Sequence, residues 1–397
     1  MNLDLRSIKN KKIFITGGTG FIGGRVVEKL FENNVTNVRV LVSSFTNASR
    51  IARYPVSMIQ GDIANPDEVK SAMAGSDIII HCAYGNKGDN EYKRKVDVEG
   101  TRNILEAART NNIERLIHLS TVMVYGNPKN GVLTEDHAMR YSNQSYPDNK
   151  IDAEKLVFKY HSDFGLPVCV LQPTAVYGPF APTWTINILK RLQKKRLMLI
   201  NSGEGYCNAV YIDDVVQAIL RAMVSQQAIG QAFLISSSSP VTWKEFYAHY
   251  ESMLGYKSTI EVSEEEALKL SLQLSKTEGK ISKAFSYIYA IPPVQRRVTP
   301  PVKNRLSKTL LRYMPGYESY LKKHKLNVND DPRIKGDTRG IQPYTKERIR
   351  YFKSKMTVRI DKAEKYLGYK PEYSIEQGME KTRIWAKWAN LTDWKYQ

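Results

Sequence analysis

From residue 11 to about residue 235, short apolar runs alternate with amphipathic stretches, at the pace of strands and helices taking turns. Lys11 to Ile15 opens a β-branched and aromatic strand, after which Ile22, Val26, Val27, Leu30 and Phe31 repeat on one helical face. The pattern predicts further strands at Val38–Val42, Val56–Ile59, Asp77–Ala83, Leu116–Leu119 and Val168–Leu171. Helices are predicted between them at 67–73, 92–111 and 146–161, the long one with Val96, Ile104, Leu105 and Ala108 inward. Such an alternation implies a parallel sheet covered on both faces, with ligands at the carboxyl ends of the strands. From Pro173 the rhythm loosens: prolines fall at 173, 179 and 182, a basic helix is expected at 186–196, and V-Y-I-D-D-V-V leads into another helix. The tail from Val358 through Trp385 and Trp388 is aromatic and helix-prone.

The first strand runs into Gly17, Gly20 and Gly23, spaced G-x-x-G-x-x-G, and the next helix begins there. Glycines permit a tight turn and close approach of the backbone, and a helix N-terminus offers free N–H groups and the positive end of its dipole. This junction therefore implies a dinucleotide whose pyrophosphate is cradled by Gly17, Thr19, Gly20, Phe21, Ile22 and Gly23. An acid at the end of the second strand would favour NAD, but that strand ends in Ser43 and Ser44. Arg50 is available for a 2′-phosphate, so the expectation leans to NADP over NAD.

Charge changes the picture in one place. Of a formal net charge of +19, residues 269–355 carry 21 Lys and Arg against 6 Asp and Glu, a local +15 that leaves +4 for the rest. A basic surface confined to one segment argues against a nucleic-acid fold, and no nucleic-acid motif accompanies it. Within it, Val302, Leu306, Leu310, Tyr313 and Met314 share a helical face ringed by Lys303, Arg305, Lys308 and Arg312. That stretch reads either as a helix packed over a substrate cleft or as peripheral contact with an anionic membrane. Cys82, Cys169 and Cys207 make neither an even disulfide set nor a metal-ligand spacing, so no metal is expected. The first residues lack a signal-peptide pattern and no run is long enough to span a bilayer, which places the expectation in the cytoplasm, with membrane association left to the basic segment.

Tyr146 and Lys150 stand four apart at the start of a predicted helix, and so share a face. The spacing alone is common in this chain, recurring at Tyr125/Lys129, Tyr351/Lys355 and Tyr366/Lys370. Only the first pair follows a hydroxyl pair, Ser120-Thr121, delivered by a buried strand to the same rim as the glycines. Moving hydride to or from a secondary alcohol needs a group that exchanges the hydroxyl proton, and free tyrosine titrates near 10. Lowering that value by about three units takes about 4 kcal/mol, which Lys150, a nicotinamide charge and a helix N-terminus together could supply, while Thr121 holds the reacting oxygen.

These stretches resemble the extended short-chain dehydrogenase/reductases, the NAD-dependent epimerase/dehydratase group. The resemblance rests on T-G-G-T-G-F-I-G, G-D-I at 61–63, H-C-A at 81–83, V-E-G-T-R-N-I-L-E-A-A at 98–108, S-T-V-M-V-Y-G at 120–126, Y-P-D-N-K, P-T-A-V-Y-G-P at 173–179 and V-Y-I-D-D-V at 210–215. It implies an α/β fold, a Rossmann-type doubly wound parallel sheet with a smaller C-terminal substrate-binding region. The corresponding expected organisation is a nucleotide-binding domain at 1–172, the start of the substrate region at 173–207, a return at 208–238, and a C-terminal substrate region at 239–397 that includes the basic insertion. The resemblance further implies Tyr146 as general acid/base, Lys150 as ribose partner, Thr121 as the hydroxyl residue, Asp62 and Ile63 at the adenine, Cys82, Ala83 and Pro173 along the cofactor, and a homodimer through the 92–111 and 146–161 helices.

The chain departs from its group at Asp97 and Ala175, where many relatives have asparagine, and at Gln172, where arginine is common. Val122 and Met123 stand where dehydratases often carry Asp-Glu. The expectation is thus an epimerase or reductase of a secondary alcohol or ketone in a nucleotide- or lipid-linked sugar. The alternatives are a dehydrogenase of a steroid- or flavonoid-like alcohol and, from another class, a non-catalytic NADP sensor, against which the intact Tyr146 and Lys150 argue.

Overall fold

The computed structural model describes residues 4–126, 130–272 and 343–392. The amphipathic stretch at 302–314 and most of the basic insertion lie outside the described residues. The chain divides into two compact units, one of residues 1–190, 205–257 and 354–397, the other of 191–204 and 258–353.

The first unit is built on a seven-stranded parallel sheet. In chain order its strands are β1 (Ile13–Thr16), β2 (Val38–Val42), β3 (Ser57–Gln60), β4 (Ile78–His81), β5 (Arg115–Leu119), β7 (Val168–Pro173) and β12 (Gln231–Ile235), with β6 (Asn130–Leu133), β8 (Ala175–Tyr177), β9 (Met198–Ile200), β10 (Tyr206–Cys207) and β11 (Ala209–Tyr211) outside this sheet. Their spatial order is β12-β7-β5-β4-β1-β2-β3, and every neighbouring pair is parallel. The order reverses between β1 and β4, the switch point where an open α/β sheet leaves a crevice. β1, β4, β5 and β7 are buried along their whole length, including the polar Thr16, His81, Arg115, His118 and Gln172 among their apolar residues.

Helices α1 (Phe21–Glu32), α2 (Pro66–Met73), α4 (Gly100–Thr110), α5 (Ser145–Phe164) and α7 (Ile212–Val224) cover the sheet. Local chemistry sets their ends. The Asn65 side chain caps α2 with Pro66 in its first turn, and α5 stops at Gly165 in the left-handed conformation. The predicted 92–111 helix is present as α3 (Asn90–Arg94) running into α4 through a π-helical turn, Lys95–Glu99, that carries Asp97. Val96, Ile104, Leu105 and Ala108 are all buried there.

The chain returns to this unit after its excursion. β15 (Lys355–Val358) pairs in parallel with β6, and α10 (Asp361–Leu367) and α11 (Ile375–Trp388) follow, α11 opened by a Ser374/Gln377 capping box. Between them the Tyr369 hydroxyl donates to the Ser236 carbonyl at 2.8 Å, and the Glu372 N–H donates to Asp214 Oδ1 at 2.8 Å. In the second unit, β9 (Met198–Ile200) pairs in parallel with β14 (Ile260–Val262). There α9 (Lys346–Lys353) contributes the Lys353–Glu264 ion pair, and Tyr344 stacks on Phe352 at 4.9 Å. Among the described residues no helix is long and apolar enough to cross a membrane.

Candidate active site

The glycine turn is as tight as its spacing implies. Gly17 has φ +69°, and a Cβ there would lie 2.6 Å from the Ala83 nitrogen and the Cys82 carbonyl carbon. At Gly23 a Cβ would lie 2.3 Å from the Gly17 carbonyl oxygen, so the first turn of α1 packs directly on the loop. The Gly20 N–H closes the turn on Gly17 O at 2.9 Å, leaving Thr19 half-buried and Gly20 exposed at the crevice. No side chain caps α1 and no acid sits in its first turn, so the N–H groups around Phe21, Ile22 and Gly23 are left for an external anion. A pyrophosphate fits this arrangement.

Thr16 ties the two strands that flank the crevice. Its carbonyl accepts from the Cys82 N–H at 3.1 Å, its hydroxyl accepts from the Ala83 N–H at 3.3 Å, and the hydroxyl also meets His81 Nδ1 at 2.7 Å. Burial pushes the Cys82 thiol up to about 12, so it is a neutral wall and not a nucleophile. At the edge, Asp62 is exposed and its Oδ1 accepts from the Ala64 N–H at 2.9 Å. Ile63 is buried, its carbonyl held by Asn103 Nδ2 at 3.0 Å. Pro173 ends β7 opposite Ile235.

Arg50 is placed differently from the expectation. It is not an unpaired cation awaiting a phosphate: Nε donates to Glu28 Oε1 at 2.8 Å, a second nitrogen donates to Phe21 O at 3.2 Å, and the guanidinium lies 4.3 Å from the Phe180 ring centroid. Glu28 also takes Arg25 at 2.8 Å and Arg53 at 2.6 Å. Burial works against ionising this carboxyl, yet the Arg50 and Arg25 contacts outweigh it and hold it at about 2. Ser43, exposed just past β2, brings neither an acid nor a cation to that end.

Strand β5 delivers Ser120 and Thr121 to the same rim, and both are buried. Thr121 Oγ1 accepts from the Met123 N–H at 3.3 Å, which orients the side chain, and its hydroxyl favours ionisation of the Tyr146 phenol. Tyr146, in the first turn of α5, has an open ring, 42 % exposed, with its hydroxyl end set deep. Lys150, one turn on, is buried and donates to the Leu119 carbonyl at 2.9 Å. Asp97 Oδ1 accepts from the Gly85 N–H at 2.7 Å, and Oδ2 from Asn149 Nδ2 at 3.0 Å, so this carboxylate is fixed by main chain on one side and α5 on the other.

The protein's own groups do not make Tyr146 acidic. Burial pushes the phenol up to about 12; Thr121 pulls it back in part, while Tyr84 and Asp97 push it further. Burial likewise pulls the Lys150 ammonium down, opposed chiefly by Asp97. The sequence reading also passed over Tyr84, which is 46 % exposed and packs edge-on to Tyr146 with centroids 6.0 Å apart. Its position directly after H-C-A, at the end of β4, was the available signal.

A glycine-cradled crevice at the switch point, with tyrosine, lysine and threonine converging beside it, defines a dinucleotide-binding α/β protein of the extended short-chain dehydrogenase/reductase type. The profile of the NAD dependent epimerase/dehydratase family matches residues 13–236, more than half of the chain, and the protein belongs to that family. Among curated relatives it is 26 % identical over 270 residues to 3beta-hydroxysteroid-dehydrogenase/decarboxylase isoform 1 of Arabidopsis thaliana, covering 61 % of either chain. It is 29 % identical over 256 residues to 2-alkyl-3-oxoalkanoate reductase of Shewanella oneidensis, covering 60 % of this chain and 65 % of that one. The match thus spans under two thirds of these relatives' length. A UDP-glucose 4-epimerase of Thermotoga maritima solved with UDP-glucose shares the fold, with TM-score 0.64 and 19 % identity over 95 % of this chain and 99 % of that one. A UDP-glucuronic acid 4-epimerase of Bacillus cereus solved with NAD does so too, with TM-score 0.65 and 18 % identity over 95 % and 99 %.

Proposed function

We propose that the protein is a nicotinamide-dependent oxidoreductase that interconverts a secondary alcohol and a ketone on an apolar, ring-bearing substrate. The observation that carries the chemistry is the convergence at the crevice rim of Thr121, just past β5, and Tyr146, in the first turn of α5, with buried Lys150 one helical turn behind, held on the Leu119 carbonyl. Thr121 holds the substrate oxygen and Tyr146 gives or takes its proton. Lys150 would hold a cofactor ribose, and a nicotinamide, when bound, would supply or accept the hydride. The exposed Tyr84 ring beside Tyr146 supports an apolar substrate, as do the steroid dehydrogenase and alkyl-oxoalkanoate reductase among the curated relatives.

A second reading, epimerisation or reduction of a nucleotide- or lipid-linked sugar, is favoured by the order of motifs shared with the epimerase group. β2 ends without an acid and Arg50 is already paired with Glu28, so this end of the crevice favours neither NAD nor NADP. A homodimer through α4 and α5, and anionic-membrane contact through the basic insertion, belong to the same reading and are tested by sedimentation and by vesicle flotation. The deciding experiment is a thermal-shift screen of sterol-like ketones, 3-oxoacyl compounds and nucleotide sugars with NAD or NADP present, since a ligand that binds only the folded state raises its midpoint. Stabilisation by nucleotide sugars alone would overturn the apolar assignment.

A further inference from the structure

Behind Lys150 lies a second ionisable group that the proposed chemistry does not use. Glu154 follows one turn later on α5 and is wholly buried. Its Oε1 accepts from Gln172 Nε2 at 2.7 Å, and Gln172 Oε1 accepts in turn from the Tyr125 hydroxyl at 2.8 Å. Among the described residues, Glu154 Oε2 and the neighbouring Ser120 Oγ are sealed from solvent without a hydrogen-bond partner. The groups around this carboxyl are Lys150 on its own helix, Tyr125 after β5, Ser120 on β5 and Gln172 on β7. Farther along the buried layer, His81 on β4 and His118 on β5 sit with ring centroids 5.1 Å apart, beside Cys82.

Charge balance decides the state of this carboxyl. The buried cluster contains one cation, Lys150, and Asp97 already opposes it. An arginine at position 172 would bring a second cation to face a second carboxylate, whereas the Gln172 amide brings none. His81 and His118 are neutral as well, because burial pulls both well below the ordinary histidine range. An ionised Glu154 would therefore be a surplus charge in a dry site.

We propose that Glu154 is held as a neutral carboxylic acid in the dry layer behind Lys150, so that Asp97 alone serves as counter-charge to the ammonium. Burial acts in the same direction on Glu154, with Ser120, Gln172 and Lys150 offsetting only part of it. The protonation state does not rest on the oxidoreductase reading.

The test is infrared absorbance of the full-length protein near neutral pH, in an Asp214→Asn background because the Asp214 carboxyl is also raised. A protonated-carboxyl carbonyl band is expected, absent from the Glu154→Gln variant and bleached when the unsubstituted position is taken to alkaline pH. Thermal melts give an independent readout. The unfolded chain ionises Glu154 at the ordinary glutamate value, but the native protein does not. Stability of the Glu154 protein relative to Glu154→Gln should therefore fall as pH rises from there and level off above the native value. Lack of a protonated band near neutral pH, or a melting difference independent of pH, overturns the proposal. Neither readout needs substrate or cofactor, so failure of the oxidoreductase reading would show separately, as lack of turnover with the infrared band intact.

Discussion

The Tyr146 phenol sets a direction-dependent pH behaviour that a rate measurement can check. With the phenol at about 12, reaching a working pH near 7 takes about five units, or about 7 kcal/mol of differential stabilisation. Ketone reduction uses the protonated phenol, which is the resting form, whereas alcohol oxidation uses the phenolate, which at pH 7 is only about one part in 10⁵ before the oxidised cofactor adds its charge. Following reduced-nicotinamide absorbance at fixed ionic strength, kcat/KM for reduction should be level from about pH 6 to 9. For oxidation it should climb about tenfold per pH unit until it meets the cofactor-lowered value. Tyr146→Phe should lower turnover in both directions by about 10² to 10⁴ while reduced-nicotinamide fluorescence still reports binding. Oxidation independent of pH over that range, or a phenylalanine variant within about tenfold of the parent, would refute the reasoning.

Three further outcomes follow from other parts of the molecule. Gly23→Ala should abolish cofactor-induced fluorescence and lower the melting temperature, because the new methyl lies 2.3 Å from the Gly17 oxygen; unchanged binding would show that the loop has room to relax. Asp214, pushed up to about 7 chiefly by burial, binds its proton more tightly folded than unfolded. Stability should thus fall by about 4 kcal/mol between about pH 4 and 7, a slope missing from Asp214→Asn in pH-dependent denaturant melts. Glu28→Gln leaves Arg25, Arg50 and Arg53 without their shared carboxylate; it should cost about 3 kcal/mol and, by releasing Arg50, tighten NADP relative to NAD in a fluorescence titration, with an unchanged ratio telling against that role.

The first half of the fold was legible because its signals are local: buried strands read as apolar runs, and the glycine spacing sits at a strand–helix junction. β12 escaped notice because Gln231–Ile235 is short and its place is fixed by pairing with β7, as β15 is fixed by a partner 225 positions earlier. Residue types at the site were legible too, but their charge states were not. Arg50 looked available only because Glu28, 22 positions before it, could not be placed against it from sequence. Desolvation of the Tyr146 phenol, a property of the packed state, could not be weighed from sequence against the charges expected to lower it. The K-x-x-x-E step from Lys150 to Glu154 stood in plain view, yet its meaning needed Gln172 brought across from β7.

The late return of residues 354–392 to the first unit has a bearing on biosynthesis. A nascent chain that has emerged only through α9 already carries every strand of the large sheet, but the edge of β6, the carbonyl of Ser236 and the carboxyl of Asp214 still await partners from downstream. Ribosome-bound intermediates of that length should accordingly be protease-sensitive around those three places, and closure of the nucleotide-binding half waits until residues 354–392 emerge.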